Sequence, residues 1–275
     1  MPAAVHAPVG IFDSGLGGLS VLKHVRQLLP HESLLYVADS AHAPYGGRPE
    51  ADVVARTLAL SDFLVTQRVK AIVVACNTAT AAAIAAVRKR YPQLPVVGVE
   101  PGLKPAALRS ASRIVGVLAT ERTLASERFR ALEALVAADT GVRFLAQPCP
   151  GLADQVEKGE LHSGATAALV WRYVAPLIAN GADTLVLGCT HYPFLTPAIE
   201  LAAQAAGAPD AAIIDTGDAV ARQLRRRLEE NGMLKTSGRP DVLGYTTGSM
   251  TALRSALAKL LNLEAEVHQL KKAPD

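Results

Sequence analysis

The chain has 275 residues, half of them hydrophobic, and carries 28 Lys and Arg against 25 Asp and Glu. That apolar content excludes a disordered chain, and a formal charge of +3 is too small for this length to point to any partner. Three cysteines, at positions 76, 149 and 189, form no CxxC pair and no zinc-ligand spacing, which argues against a disulfide framework and predicts unbridged thiols.

The opening residues MPAAVHAPVG have neither a positive n-region nor a long apolar h-region, so secretion is not expected and the cytoplasm is the default location. Strand-like runs then alternate with helix-length patterns. The first are VGIFD (9–13), LLYVAD (34–39), AIVVAC (71–76) and VVGV (96–99). IVGVLAT (114–120), VRFLAQ (142–147), TLVLGC (184–189) and AAIID (211–215) follow. This order predicts βα units, hence an α/β fold of mainly parallel sheets flanked by helices on both faces. The uncharged stretch 71–87 has nearly the length of a membrane span. Its β-branched start, the polar Asn77 and Thr78 and the alanine-rich finish suit a buried strand and a following helix better.

Proline and glycine cluster at VGVEPGLKP (97–105), and the pattern weakens again at AAGAPDA (205–211). Residues 1–98 plus 211–275 are therefore expected to form one α/β domain and residues 99–210 a second, the chain leaving the first and returning to finish it with VARQLRRRL and a helix beginning near Met250. The basic run Arg225 to Arg227 leads straight into glutamates and reads as a solvated helix face; Lys271 and Lys272 carry no more weight.

The stretches IVVACNTATA and LVLGCTHYPF share one plan: an apolar run, a small residue, a cysteine, polar residues and a helix-like segment. Cys76 and Cys189 thus fall at the C-terminal ends of strands, where open α/β sheets bind ligands. Backbone N–H groups at a helix start favour thiolate over thiol and can hold a carboxylate. Cys149, between two prolines in QPCPG, has no polar followers and reads as a small hydrophobe.

In GIFDSGLGGLSVL the glycine spacing starts like a dinucleotide loop, but Ser20 stands where the third glycine belongs, and no P-loop lysine is present. Asp13 and Ser14 remain as candidates at the same sheet edge, an acid able to orient a thiol or take its proton and a hydroxyl able to bind an amino acid's polar ends. Pro44, Tyr45, Gly46 and Gly47 in VADSAHAPYGGRPE form a turn. His191, two residues after Cys189, can exchange a proton with that thiol, and Pro193 suits the first turn of a following helix.

With these residues in hand, the sequence resembles the glutamate racemases of the cofactor-independent aspartate/glutamate racemase superfamily. FDSGLGGL, ADSAHAPYG, ACNTA, GVEPG, VGVLATERT and LGCTHYP occur in the family's order across nearly the whole chain. The resemblance implies two pseudo-symmetric α/β domains with an active site in the cleft between them. It implies Cys76 and Cys189 as acid and base, assisted by Asp13 and His191, which also meet the substrate. Further substrate contacts carry over to Ser14, Tyr45, Gly46, Asn77, Thr78 and Thr190. A further family acid, downstream of a CP dipeptide, matches Glu157, although GLADQVEKG departs from the more apolar family pattern.

The resemblance also implies no pyridoxal phosphate and no metal, in keeping with the absence of a Schiff-base lysine motif. It implies glutamate as partner, D-glutamate for peptidoglycan synthesis as product, no membrane or nucleic-acid partner, and allows a homodimer. Two thiols, one starting as thiolate and one as thiol, can take a proton from one side of an α-carbon and return one to the other. Rival readings are an aspartate racemase of the same superfamily, a non-catalytic amino-acid-binding protein and, weakened by the missing CxxC, a thiol redox enzyme. Initial rates on the two amino acids separate the first. Ligand binding without α-proton exchange would favour the second, and a disulfide that cycles with turnover the third.

Overall fold

The computed structural model describes residues 5–270. The chain divides into two compact units, one running up to Val99 and resuming at Gly217, the other spanning Glu100–Thr216.

The first unit begins β1 (Val9–Asp13), α1 (Leu19–Leu28), β2 (Leu34–Ala38), α2 (Glu50–Thr66), β3 (Ala71–Val74), α3 (Asn77–Arg90) and β4 (Val96–Gly98). Every residue of β1, β2 and β3 is buried. Such β-branched and aliphatic runs form strands because helices cover both sheet faces, so no alternation with polar residues is needed. The side chains of Phe12, Val37, Leu60, Leu64, Ile72 and Val74 fill this core, each fully buried side chain of this size contributing about 1.5–3 kcal/mol.

The second unit contains α4 (Leu103–Arg109), β5 (Ile114–Ala119), α5 (Glu121–Ala125), α6 (Glu127–Thr140), β6 (Arg143–Pro148), α7 (Leu152–Glu157), α8 (Gly164–Ala179), β7 (Thr184–Gly188), α9 (Thr196–Ala205) and β8 (Ala212–Ile214). Serine hydroxyls start its longer helices: Ser126 accepts from the N–H of Phe129 and Ser163 from that of Thr166. The chain then completes the first unit with α10 (Gly217–Glu230), β9 (Val242–Thr246), α11 (Met250–Leu261) and β10 (Glu266–Gln269).

Among the described residues the strand order is β10-β9-β2-β1-β3-β4 in the first sheet and β6-β5-β7-β8 in the second. All of these pairings are parallel. The four adjacent strands β2-β1-β3-β4 of the first sheet and the whole of the second thus repeat one topology, with β1, β2, β3 and β4 matching β5, β6, β7 and β8. The strand order reverses between β1 and β3 and again between β5 and β7, and ligands of open α/β sheets bind at such reversals.

Two features differ from the expected organisation. AAIID does not open the returning segment, because β8 pairs with β7 through Ala212 opposite Thr184 and Ile214 opposite Val186. The second unit therefore ends at Thr216 rather than 210. Two further strands, β9 and β10, extend the first sheet beyond β2. β9 has Gly244 at its centre, and β10 is the edge strand EVHQ with exposed polar residues, so neither shows the apolar run that marks the others.

The residues that suggested a membrane span divide into β3 and α3; among the described residues no helix is long and apolar enough to cross a membrane. Helix α10 buries Val220, Ala221, Leu224 and Leu228 and packs against α1. On its outer face Arg222 meets Asp218 at 2.5 Å and Arg225 meets Glu229 at 2.8 Å, exposed pairs that account for the basic run as a solvated face. Lys271 and Lys272 lie outside the described residues.

Candidate active site

In the first unit the candidate residues gather where β1 and β3 end. Asp13 closes β1, and Cys76 follows β3 after Ala75, whose N–H donates to the Phe12 carbonyl at 2.8 Å. Both lie at the edge where the strand order reverses. Cys76 is the N-cap of the fourteen-residue helix α3, and its sulfur accepts the N–H of Ala79 at 3.4 Å. A sulfur in that place receives a backbone donor and the positive end of the helix dipole, both of which favour its anionic form. Its thiol also reaches the Ser14 hydroxyl, at 3.8 Å.

Asp13 is fully buried. Its Oδ2 accepts the N–H of Gly15 at 2.9 Å, and the start of α1 passes directly over it. A Cβ at Gly18 would stand 2.5 Å from the Cβ of Asp13, so only glycine permits the approach. Glycine is required here by the acid beneath it rather than by a nucleotide phosphate.

Asn77 and Thr78 form the first turn of α3 and are 4% and 3% exposed. Among the described residues neither Nδ2 nor Oδ1 of Asn77 has a hydrogen-bond partner. A buried carboxamide with both ends unsatisfied carries a desolvation cost of about 1–3 kcal/mol for each group. Beside a thiol at a helix N-terminus, its donor and acceptor suit a polar ligand such as an amino acid. Tyr45 is buried and shares a core cluster with Cys76. Gly46 follows it in a one-turn 3₁₀ helix, Tyr45–Gly47.

In the second unit Cys189 follows β7 at its own reversal point, the place that corresponds to Cys76. Gly188, just before it, lies against β5 so closely that a Cβ would stand 2.9 Å from Ala119 Cβ and 3.0 Å from the Leu118 carbonyl oxygen. Cys189 Sγ lies 3.6 Å from His191 Nδ1, and His191 Nε2 lies 2.7 Å from Glu157 Oε1. Thiol, imidazole and carboxylate form a line from a buried sulfur to a partly exposed acid. Burial alone would lower the His191 pKa, but its hydrogen bonds to Cys189 and Glu157, and the negative charge on both, outweigh that and hold it well above the ordinary histidine range. A protonated His191 thus stands beside a sulfur it can stabilise as thiolate. Thr190, between them, is 4% exposed.

The helix expected directly after Cys189 is a short 3₁₀ turn, Tyr192–Leu195, and α9 starts only at Thr196. Pro193 and Pro197 explain the interruption. Each occupies the first turn of its element, where a missing N–H costs nothing, and together they impose two successive starts. The helix-dipole argument therefore applies to Cys76, whereas at Cys189 the imidazole of His191 supplies the positive charge.

Cys149 is 3% exposed in the core that also contains Cys189, and its thiol donates to the Gln147 carbonyl at 3.3 Å. Burial, with the charge of Cys189 adding to it, pushes this thiol up, as a structural cysteine requires. None of the three cysteines is in a disulfide. The structure also brings forward Asp39 and Arg56, which the sequence reading passed over: the Tyr45 hydroxyl donates to Asp39 Oδ2 at 2.5 Å. A signal was present, since β1 and β2 both run into an Asp-Ser pair, Asp13-Ser14 and Asp39-Ser40.

Comparison with known proteins identifies the family of the chain. The family profile described as Asp/Glu/Hydantoin racemase matches residues 18–224. A glutamate racemase of Ectopseudomonas mendocina is 51% identical over 263 residues, covering 95% of this chain and 97% of the relative. The crystal structure of a glutamate racemase isoform from Bacillus anthracis superposes with a TM-score of 0.87 at 32% identity, over 98% of this chain and 99% of that one. That of Francisella tularensis glutamate racemase, in complex with D-glutamate, gives 0.82 at 28% identity over 98% of both chains. A chain with these sequence and fold relatives, carrying a buried thiol after the third strand of each parallel sheet, belongs to the Asp/Glu/Hydantoin racemase family.

Proposed function

We propose that the chain interconverts L-glutamate and D-glutamate without a cofactor, through one thiolate and one thiol. The observation that carries this reading is the pair of buried cysteines at corresponding strand ends, each with its own means of supporting negative charge. Cys76 has the α3 amino end and the Ala79 N–H; Cys189 has His191, backed by Glu157. The 51% identity to a glutamate racemase supports the substrate assignment.

The α-hydrogen next to a carboxylate is far less acidic than a thiol, whose ordinary pKa is about 8.5. Charge must therefore be stabilised as the proton leaves. The unpaired carboxamide of Asn77, with Thr78 and Thr190, would hold the substrate carboxylate where that charge accumulates, and exclusion of water strengthens such contacts. Cys189 takes the proton from L-glutamate and Cys76 delivers one; the reverse reaction exchanges their roles. Asp13 serves Cys76 as His191 serves Cys189, and Ser14, Tyr45 and Gly46 complete the substrate contacts. The product D-glutamate serves peptidoglycan synthesis, and with it cell-wall biogenesis and cell shape. The reaction belongs in the cytoplasm, and assembly as a homodimer is part of this reading, checked by sedimentation.

The decisive assay follows the circular dichroism of L-glutamate as it decays to zero. Decay with glutamate and at most a few per cent of that rate with L-aspartate is the expected result, whereas a faster rate with aspartate would reassign the substrate. Cys149→Ala serves as the control. It is expected to keep its rate within about twofold and to lose only about 1 kcal/mol of stability, as one small core group usually costs, measured by urea denaturation.

A further inference from the structure

The one-turn helix Tyr45–Gly47 packs against α3, whose N-cap is Cys76. What holds it in place is Asp39, fully buried just beyond β2. Asp39 Oδ2 accepts the Tyr45 phenol at 2.5 Å and Arg56 Nε at 3.0 Å. Its Oδ1 accepts Arg56 Nη2 at 2.9 Å and the Thr247 hydroxyl at 2.9 Å, and lies 2.9 Å from His42 Nδ1. Thr247 Oγ1 in turn accepts the N–H of Ala41 at 3.1 Å, and Arg48 Nε donates to the His42 carbonyl. The end of β2, the 40–48 loop, helix α2 and the segment after β9 thus converge on a single carboxylate.

We propose that Asp39 is a positioning residue for racemisation, acting through Tyr45 and its loop, with Arg56 and Thr247 completing the anchor. The bidentate Arg56 contact fixes the plane of the carboxylate and balances its charge. That plane aims Oδ2 at Tyr45, and the phenol proton is thereby committed to Asp39. Burial, then the charge of Asp39, holds the phenol far above its ordinary range, so it stays protonated. Tyr45 therefore meets the substrate with its ring, its phenol lone pairs and its backbone, never as an acid. The anchor also gives the last part of the chain a part in the site, because Thr247 lies beyond the second unit in sequence and reaches Asp39 from the end of β9.

The inference rests on the proposed racemase reading, and kinetics on the whole protein separate the two. Asp39→Asn keeps the shape but removes the charge and turns an amide N–H₂ toward groups that donate. It is expected to raise KM for both enantiomers about tenfold while kcat falls less than about threefold, since a loop that binds substrate alike in ground and transition states affects KM. Tyr45→Phe should raise KM comparably, and the Asp39→Asn/Tyr45→Phe double variant should show no further rise, because the two act as one unit. Thr247→Val and Arg56→Lys, milder losses, are expected to raise KM about threefold. A purely structural Asp39 would lower the thermal midpoint in all these variants and leave KM unchanged, which would overturn the proposal, as would additive effects in the double variant. A wild-type protein that leaves glutamate unracemised would instead overturn the reading beneath it.

Discussion

Alanine in place of Cys76 or Cys189 is expected to lower kcat/KM for glutamate racemisation by more than about 1000-fold, or about 4 kcal/mol of transition-state stabilisation. In the proposed two-thiol reaction each thiol is an obligatory proton carrier in one half, and the neighbouring groups cannot stand in for it: Ser14 is a far weaker acid, and His191 has its Nε2 engaged by Glu157. The two enantiomers are equal in energy, so kcat/KM must be the same in both directions, and each variant must lose it equally for L- and D-glutamate.

The remaining thiol nevertheless keeps its own half of the chemistry. In deuterated water Cys76→Ala should still exchange the α-hydrogen of L-glutamate through Cys189, and Cys189→Ala that of D-glutamate through Cys76, each without inversion. Proton NMR of the α-position reads the exchange and circular dichroism the inversion. Racemisation within tenfold of wild type in either variant would refute the two-thiol scheme. Folding should survive both changes, since each removes one small buried group.

The second large effect concerns His191. His191→Asn is expected to lower kcat/KM about 100-fold, the scale of a lost acid–base partner. Glu157→Gln is milder and more informative, because it removes one of the two groups that hold the imidazole well above its ordinary range. In the proposed reaction the imidazolium is the useful form, so activity is expected to fall as pH rises through the His191 pKa. Lowering that pKa must move the alkaline limb of the kcat/KM profile to lower pH, with the acid limb little changed. Because thiol and imidazole interact, each limb reports the pair rather than one residue.

The same shift makes a statement about stability. A histidine whose pKa is raised by folding stabilises the native state below its unfolded value of about 6.5, and that contribution disappears as pH climbs through the folded value. The difference in urea midpoint between wild type and Glu157→Gln should therefore be largest in mild acid and shrink in alkali. An alkaline limb that stays in place would show that Glu157 does not govern the imidazole.

How far these features could be read from the chain varies with the distance over which they are decided. Buried parallel strands are near-continuous apolar runs, so VGIFD, AIVVAC and TLVLGC declare themselves locally. Their ends place Asp13, Cys76 and Cys189 at sheet edges with no knowledge of packing. The repeated plan of the two cysteine stretches was legible for the same reason. β9 and β10 were not: β9 is interrupted by Gly244 and held by pairing to β2 and β10 on its two sides, and β10 is a short polar edge strand.

Contacts between residues far apart in sequence belong to the tertiary structure alone. β8 joins the second sheet because β7 offers it a hydrogen-bonding edge, which the loop before it conceals. Glu157 meets His191 across 34 positions, and Thr247 meets Asp39 across 208. Composition and periodicity determined the buried apolar strands and where the thiols stand at their ends. Which acid charges the histidine, and which carboxylate anchors the tyrosine loop, was decided by packing, because hydrogen bonds of buried charges depend on distances of a few ångströms that no local pattern encodes.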